Sequence, residues 1–183
     1  MHELKILITG AQIAARIVDM GREITRDSAG EPVIFVGVLK GAAIFLADLV
    51  RAVQLDTTFE FIGVSSYGNR AVADQRLGWD STGEVRVTKD VDQSLRGKNV
   101  ILVEDILDTG LTLTFLKRLL LGHQPKSLRV ATLLDKPSRR KLTIEADYVG
   151  FAIPDEFVVG YGLDYAERYR NLPDICVLSG VEG

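Results

Sequence analysis

The sequence predicts an α/β fold: a central, mostly parallel sheet flanked by helices, with a small hood formed by the terminal segments. Two observations predict it. Four segments are apolar almost throughout, as strands are when both faces of a parallel sheet are covered. Two of these segments run through a turn into a stretch with helical periodicity. With 183 residues, 46% of them hydrophobic, the chain is within the range of one domain, spanning 1–183.

The elements are predicted in order along the chain. A helix begins after Thr9, a good N-cap residue, because apolar residues then recur at spacings of three and four. These residues are Ile13, Ile17, Met20 and Ile24. Strands are predicted at residues 32–39, 59–67, 99–106 and 128–135. Helices follow the first and third of these strands, at 42–53 and 111–121.

Two further segments lack a sustained period. Residues 68–82 are polar, and such an insert in a compact domain is either a functional lid or disordered; both interpretations are open. After Lys136 the chain consists of short apolar runs and turns. This tail, from about residue 151, is predicted to contribute the hood and not a second domain.

Composition excludes several classes of function. The net charge of -3, from 22 basic and 25 acidic residues, favours neither nucleic acid nor an anionic membrane as a partner. The longest apolar runs fall short of the ~18 residues that cross a bilayer, and the N-terminus has no signal-peptide pattern. The single cysteine, Cys176, lies in an apolar run, which predicts a buried thiol and a cytoplasmic protein. His2 and His123 have no Cys or His at ligand spacing, so a structural zinc site is not expected.

Three acids stand together in the segment VILVEDILDTGLTL, residues 100–113. Glu104 and Asp105 directly follow a buried run, at the carboxyl end of a predicted strand, where open α/β sheets bind their ligands. Two acids in that position need a partner, because burying a charge without one is costly. Asp108 comes next, and an Asp at this point can be either an N-cap or a functional acid.

The turn after these acids has the features of an anion site. Amide groups at the start of the following helix, with the hydroxyls of Thr109 and Thr112, suit a phosphate. The nearby acids would repel the same phosphate unless the ligand also presents hydroxyls or a metal. A phosphorylated ribose does both, since Mg²⁺ can bridge its diol to further phosphates. Neither GxxxxGK[ST] nor a GxGxxG after a strand is present.

The segment resembles the phosphoribosyl-pyrophosphate motif of the type I phosphoribosyltransferases. Further motifs resemble the hypoxanthine-guanine branch of that family over nearly the whole chain: VGVLKGA, SSYG, STGEVRV, LLDK and GFAIPDEFVVGYGLDYAERYR. The resemblance implies transfer of 5-phosphoribosyl from phosphoribosyl pyrophosphate to hypoxanthine or guanine, forming IMP or GMP and pyrophosphate. It further implies Mg²⁺ as cofactor, only small-molecule substrates as ligands, and a homodimer or homotetramer.

The resemblance also implies a role for each matching residue. Contacts to the phosphoribosyl group are implied for Glu104, Asp105, Asp108, Thr109, Gly110 and Thr112. Asp108 would be catalytic, managing the proton at N7 of the purine. Contacts to pyrophosphate are implied for Lys40, Gly41 and Arg170, with a peptide before Lys40 that can be cis. Contacts to the purine are implied for Ile106, Lys136, Phe157, Val158 and Asp164, of which Lys136 donates to O6. The implied metal ligands are Glu104, Asp105 and Asp164.

Ser66 and Tyr67 match the dipeptide that begins a mobile lid, at about residues 66–83. The lid segment carries extra residues compared with bacterial members of the family, including the only tryptophan, Trp79. Three neighbouring basic residues have no counterpart in the family pattern, and we expect them to be solvated: Arg139, Arg140 and Lys141.

Two other functions remain as alternatives at this stage. A nucleotide-sensing regulator that binds RNA can share the central motif, but it would need an extended basic face. A phospho-acceptor signalling domain also uses paired acids and a lysine at strand ends, but it would need its acids after the first strand. The order in which hypoxanthine, guanine and xanthine are preferred does not follow from the sequence.

Overall fold

The computed structural model describes residues 3–66 and 85–180. Three helices lie in this part of the chain: α1 (Gly10–Asp27), α2 (Ala43–Ala52) and α3 (Leu111–Gly122). The first five strands are β1 (Glu3–Ile8), β2 (Val33–Leu39), β3 (Thr57–Ser66), β4 (Val85–Lys89) and β5 (Asn99–Leu107). The remaining four are β6 (Ser127–Asp135), β7 (Tyr148–Ala152), β8 (Val158–Val159) and β9 (Ile175–Ser179).

The strands form two sheets. The main sheet has six strands in the order β4-β3-β2-β5-β6-β7, all parallel except β4, which runs antiparallel to β3. The smaller sheet has the order β1-β9-β8 and is antiparallel. The predicted mostly parallel sheet is confirmed, and the hood is built from both terminal segments, as expected.

The core lies on both faces of the main sheet. Side chains on one face of β2, β5 and β6, such as Phe35 and Val103, pack with the buried sides of α1 and α2. Side chains on the other face, such as Val36 and Leu102, pack with α3. Because both faces are covered, β2 is buried along most of its length, which explains its continuous apolar sequence.

The N-terminus of α1 is closed by the residue that the sequence predicts. The hydroxyl of Thr9 accepts from the Gln12 amide at 3.3 Å, and the Gln12 side chain accepts from the Thr9 amide at 2.9 Å. This reciprocal pair is a capping box. The Gly10 amide also donates to Asp174 at 2.7 Å, so the start of α1 is tied to the C-terminal segment.

Three features differ from the prediction or lie beyond it. Strands β1 and β4 were not expected, and β7, in the tail, joins the main sheet and not the hood. Ser66 ends β3, whereas Tyr67, Trp79 and the rest of the predicted lid lie outside the described residues. Among the described residues, the helices are too short or too polar to span a membrane.

Candidate active site

Three neighbouring strands of the main sheet, β2, β5 and β6, end at one edge and bring together the predicted site residues. Lys40 and Gly41 directly follow β2, residues 104–107 are the last four of β5, and Lys136 directly follows β6. The Lys136 amide donates to the Leu107 carbonyl at 2.9 Å, which holds these strand ends together. The carboxyl edge of a parallel sheet is where α/β proteins bind ligands.

Glu104 is a buried acid with one oxygen that has no partner. Its side chain extends from β5, only 9% of the residue is exposed, and Oε2 accepts no hydrogen bond from the described residues. Burial, and to a lesser extent the charge of Asp105, raises the pKa of Glu104 well above its usual value. A buried carboxylate oxygen without a partner is costly, so this atom is available for a cation or a hydroxyl donor.

Asp105 lies against the loop after β2. Its carboxylate packs so closely on Gly41 that a Cβ at Gly41 would lie 1.7 Å from Oδ2. Oδ1 accepts from the Ile106 amide at 2.8 Å. Burial raises the pKa of Asp105 to about 6, although backbone donors and the charge of Arg170 act in the opposite direction. Any side chain at position 41 would force this carboxylate to move.

A second glycine holds the same loop from the other side. A Cβ at Gly162 would lie 2.1 Å from the carbonyl oxygen of Gly41, and Gly162 has φ +101°, a conformation that side chains disfavour. The Leu39-Lys40 peptide is cis, as the family resemblance implies. The loop after β2 is therefore packed between Asp105 and the C-terminal segment, with its shape set by contacts on both sides.

The predicted anion turn joins β5 to α3. Gly110 is the N-cap of α3 and has φ +85°. A Cβ at this position would lie 2.6 Å from the Ile144 side chain. Gly110 has no side chain to cap the helix, and the Leu111 amide donates to the Thr109 hydroxyl at a long 3.4 Å. The first amides of α3 and the hydroxyls of Thr109 and Thr112 thus belong to one turn, as an anion site requires. Asp108 lies two residues before the N-cap, so the alternative that it only caps this helix is wrong.

The predicted purine contacts lie beside β6 and β8. Lys136 is 8% exposed, and its ammonium is 4.0 Å from the Asp155 carboxylate. Val158 is buried in β8, while Phe157 is 47% exposed and contacts the edge of the Tyr165 ring at a centroid distance of 5.7 Å. The exposed Phe157 ring can provide a stacking surface, and the buried Lys136 ammonium a hydrogen-bond donor.

The prediction of solvated side chains is wrong for Arg140, whereas Arg139 is exposed, as expected. Arg140 donates to the Leu107 and Asp108 carbonyls and pairs with Asp135, and its side chain is only 17% exposed. Arg139 Nε donates to Asp108 Oδ1 at 3.1 Å. The turn after Lys136 folds back against the C-terminal end of β5. No local sequence pattern predicts this contact, because it joins residues that are distant in sequence. The third residue, Lys141, is exposed as expected.

The C-terminal segment brings charged groups to the loop after β2. Arg170 Nη2 pairs with Asp164 at 2.8 Å, and Nη1 donates to the Gly162 carbonyl at 2.7 Å. Arg170 Nε is buried and has no partner among the described residues. Glu167, which the sequence reasoning missed, pairs with Lys40 at 2.9 Å. Glu167 lies three residues before Arg170, and this spacing could have indicated an ion pair between them.

The acids at this edge could bind a divalent ion together with oxygen atoms of a bound ligand. Within the described ranges, no group of three or more acids, histidines or cysteines is arranged to bind a metal alone. Asp164 is engaged by Arg170 and by the Glu167 amide. Glu104 Oε2, in contrast, has no partner among the described residues, and burial raises the pKa of the neighbouring Asp105 to about 6. Mg²⁺ is commonly bound through one or two carboxylates, water and substrate oxygens, which matches such a set.

Known proteins resemble this chain over nearly its whole length. The family model described as phosphoribosyl transferase domain matches residues 5–166. The hypoxanthine phosphoribosyltransferase of Escherichia coli K12 is 46% identical over 176 residues, which cover 95% of this chain and 94% of the relative. The hypoxanthine-guanine phosphoribosyltransferase of Bacillus subtilis 168 is 48% identical over 178 residues, 97% of this chain and 94% of the relative.

A solved structure agrees with these relatives. The crystal structure of a hypoxanthine-guanine phosphoribosyltransferase from Bacillus anthracis superposes with a TM-score of 0.87 at 49% identity, covering 96% of this chain and 99% of that one. The fold and the edge site thus define a type I phosphoribosyltransferase, and the chain belongs to that family. Within the family it belongs with the hypoxanthine-guanine phosphoribosyltransferases, enzymes of purine salvage that use phosphoribosyl pyrophosphate. The RNA-binding and signalling alternatives have no support among these matches.

Proposed function

We propose that the carboxyl edge of the main sheet performs phosphoribosyl transfer to hypoxanthine and guanine with two groups of residues. One group binds the ribose and its phosphates, and the other binds the purine. The observation that carries this proposal is the buried, unpartnered oxygen of Glu104 beside the Asp105 carboxylate with its raised pKa. A buried carboxylate oxygen that lacks a partner, next to a second buried acid, is explained by a ligand that supplies the partner.

The ribose group consists of the β5 acids and the turn that opens α3. Glu104 and Asp105 accept from the 2'- and 3'-hydroxyls, and with Asp164 they provide the oxygens that would hold Mg²⁺. The 5'-phosphate binds the turn at Gly110, the first amides of α3 and the hydroxyls of Thr109 and Thr112. When bound, Mg²⁺ neutralises charge on the pyrophosphate.

The pyrophosphate leaving group binds the loop after β2. Lys40 and Arg170 supply positive charge, and the backbone at Gly41 approaches closely because it has no side chain. As the bond from C1' to the pyrophosphate oxygen breaks, negative charge grows on the leaving group. Cations already held in position stabilise this charge without reorganising.

The purine group consists of Lys136, Asp108, Ile106, Phe157 and Val158. Ile106 and Phe157 pack on the faces of the base, and the Val158 backbone meets its edge. The Lys136 ammonium donates to O6 and cannot accept, so it favours a 6-oxo over a 6-amino group. As N9 attacks C1', the proton at N7 leaves the base, and Asp108 is placed to accept it.

The proposed function also leads to expectations for the oligomeric state and the cellular compartment of the enzyme. We expect a homodimer or homotetramer, with no nucleic-acid or membrane partner. The one cysteine, Cys176, is a buried free thiol, which fits a reducing cytoplasmic compartment.

The test is nucleotide formation from phosphoribosyl pyrophosphate with four bases: hypoxanthine, guanine, xanthine and adenine. We expect turnover with hypoxanthine, with guanine or with both, little with adenine, and loss of activity when EDTA removes divalent ions. The relative rates also settle the order of the 6-oxopurines. Turnover with adenine at the rate of hypoxanthine, or full activity in EDTA, would overturn the proposed roles of Lys136 or of the acids.

A further inference from the structure

The loop after β2 and the C-terminal segment share one carboxylate that contacts two cations. Glu167 Oε2 is 2.9 Å from the Lys40 ammonium, and Glu167 Oε1 is 3.5 Å from Arg170 Nη2. Each oxygen of the carboxylate thus faces a different cation. Lys40 and Arg170 are the two side chains assigned to pyrophosphate above, so an anionic group of the protein lies where an anionic ligand is expected.

The backbone around Glu167 fixes where its side chain begins. Ala166 and Glu167 have φ values of +51° and +63°, in the left-handed region that residues other than glycine rarely adopt. The Glu167 amide donates to Asp164 at 2.8 Å, and residues 165 and 168 form an isolated antiparallel bridge. This tight turn directs Glu167 toward Lys40, which is 127 residues away in sequence.

We propose that Glu167 competes with pyrophosphate for Lys40 and Arg170, so that it weakens binding of both phosphoribosyl pyrophosphate and the product pyrophosphate. The proposal rests on the pyrophosphate site assigned under the proposed function. When a diphosphate group binds, the carboxylate leaves the two cations and turns to solvent. When pyrophosphate departs, the carboxylate takes its place on the same nitrogen atoms, which favours product release.

The expected effect is modest, because the ion pair is accessible to water. The Lys40 and Glu167 side chains are each 66% exposed. Exposed ion pairs contribute little because solvent screens them, and removing such a competitor corresponds to a change of about twofold to fivefold in affinity. Because Glu167 is easily displaced, phosphoribosyl pyrophosphate can still bind. The competition matters most for the product pyrophosphate, which must leave on every turnover.

Two other roles for Glu167 predict different results. If Glu167 orients the two cations for pyrophosphate, removing it weakens binding, which is the opposite sign. If it acts only through its charge, Glu167→Asp, which keeps the charge, behaves like the wild type. Competition needs contact, and the shorter aspartate does not reach both nitrogen atoms. The competition model therefore predicts that Glu167→Asp resembles Glu167→Gln.

The experiment measures the dissociation constant of magnesium pyrophosphate by calorimetry and the KM for phosphoribosyl pyrophosphate. In Glu167→Gln and Glu167→Asp we expect both to fall about twofold to fivefold, with the KM for hypoxanthine unchanged. The control is Glu145→Gln, which removes the same charge from an exposed glutamate between β6 and β7 and should match the wild type. Unchanged or weaker pyrophosphate binding in Glu167→Gln would overturn the proposal, and so would Glu167→Asp that matches the wild type.

One more variant separates this proposal from the site assignment. Lys40→Met removes an exposed cation, and the site assignment predicts that pyrophosphate binding weakens by about tenfold, the loss of one charge-assisted contact. If Lys40→Met binds pyrophosphate as the wild type does, the assignment of this loop is wrong. If Lys40→Met weakens binding but the Glu167 variants do not strengthen it, only the competition fails. Thermal unfolding confirms that each variant is folded.

Discussion

At the scale of single residues, the site contains a carboxylate that costs stability in the free protein. Glu104 is buried, and one of its oxygens lacks a partner among the described residues, so its ionised form is disfavoured until a ligand arrives. Its pKa is raised relative to the unfolded chain, and protonation therefore favours folding. This contribution is complete below the pKa of the unfolded chain and is lost as the pH rises through the raised pKa.

Glu104→Gln should therefore raise the melting temperature of the ligand-free protein at pH 8 by a few degrees, since it removes a buried charge worth ~1–2 kcal/mol. The gain should be smaller at pH 5 than at pH 8, because the raised pKa of Glu104 means that protonation removes the charge of the wild-type carboxyl as the pH falls. Calorimetric scans at the two pH values measure this difference, with Glu145→Gln as the exposed control. A lower melting temperature for Glu104→Gln at pH 8 would contradict the account of Glu104. Phosphoribosyl pyrophosphate should bind this variant poorly.

Asp108 allows a test of function that leaves the shape of the site intact. Asp108→Asn keeps the size of the side chain but cannot accept the N7 proton, so turnover should fall by ~10² to 10⁴. Binding of phosphoribosyl pyrophosphate should remain close to that of the wild type. Rapid-quench measurement of a single turnover isolates the chemical step, and a rate equal to the wild type would mean that Asp108 plays no part in proton transfer.

The sequence predicted the positions of some site residues but not the contacts of others. The β5 acids and Lys136 could be predicted because each follows a buried strand, and a parallel sheet puts such positions at one edge. Arg140 was misjudged because the Leu107 carbonyl that it contacts is distant in sequence, and Glu167 was missed because Lys40 is distant as well. A charged residue in a turn has the same local pattern whether it is solvated or paired.

At the scale of elements, two segments fix the loop after β2. Asp105 packs on Gly41 from one side, and Gly162 of the C-terminal segment packs on the Gly41 carbonyl from the other. The hydroxyl of Tyr161, next to Gly162, donates to Asp48 on α2, the helix that follows this loop. The shape of the proposed pyrophosphate site therefore depends on contacts between elements that no single motif encodes.

Gly162→Ala should disturb this packing. The added Cβ would lie 2.1 Å from the Gly41 carbonyl at a residue with positive φ, so we expect a loss of ~3 kcal/mol in unfolding free energy. The KM for phosphoribosyl pyrophosphate should rise, while the KM for hypoxanthine changes little. Gly30→Ala is the matched control, since Gly30 also has positive φ, +81°, but has nothing within 4 Å of an added Cβ. Denaturant unfolding and steady-state kinetics measure the two effects, and equal behaviour of the two variants would rule out the proposed packing.

The elements themselves were predicted where the pattern was long. The three helices and the strands β2, β3, β5 and β6 could be predicted because each has many residues with one periodicity. Strand β1 could not, since most of its residues are exposed and its partner β9 is at the other end of the chain. Strand β4 could not either, because it is a five-residue edge strand that begins within a polar stretch.

At the scale of the whole molecule, the topology separates the two groups of residues in the proposed site. The order β2-β5-β6 places the loop after β2, proposed to bind pyrophosphate, on one side of the β5 acids and Lys136 on the other. The hood sheet, made from both chain termini, supplies Val158 in β8, and Phe157 and the Gly162 segment flank that strand. A ligand that extends from pyrophosphate through ribose to a purine would follow this order of strands across the edge.

The discrimination between hypoxanthine and adenine by wild type and Lys136→Met tests this account most directly. The measurement is the ratio of kcat/KM for the two bases. Methionine roughly preserves the apolar stem and removes only the charged donor, so the ratio should fall about tenfold or more, through weaker use of hypoxanthine. Binding of phosphoribosyl pyrophosphate should stay unchanged, because its proposed site consists of the β5 acids, the turn before α3 and the loop after β2, and does not include Lys136. An unchanged ratio in a folded Lys136→Met variant would contradict the claim that the end of β6 recognises the purine.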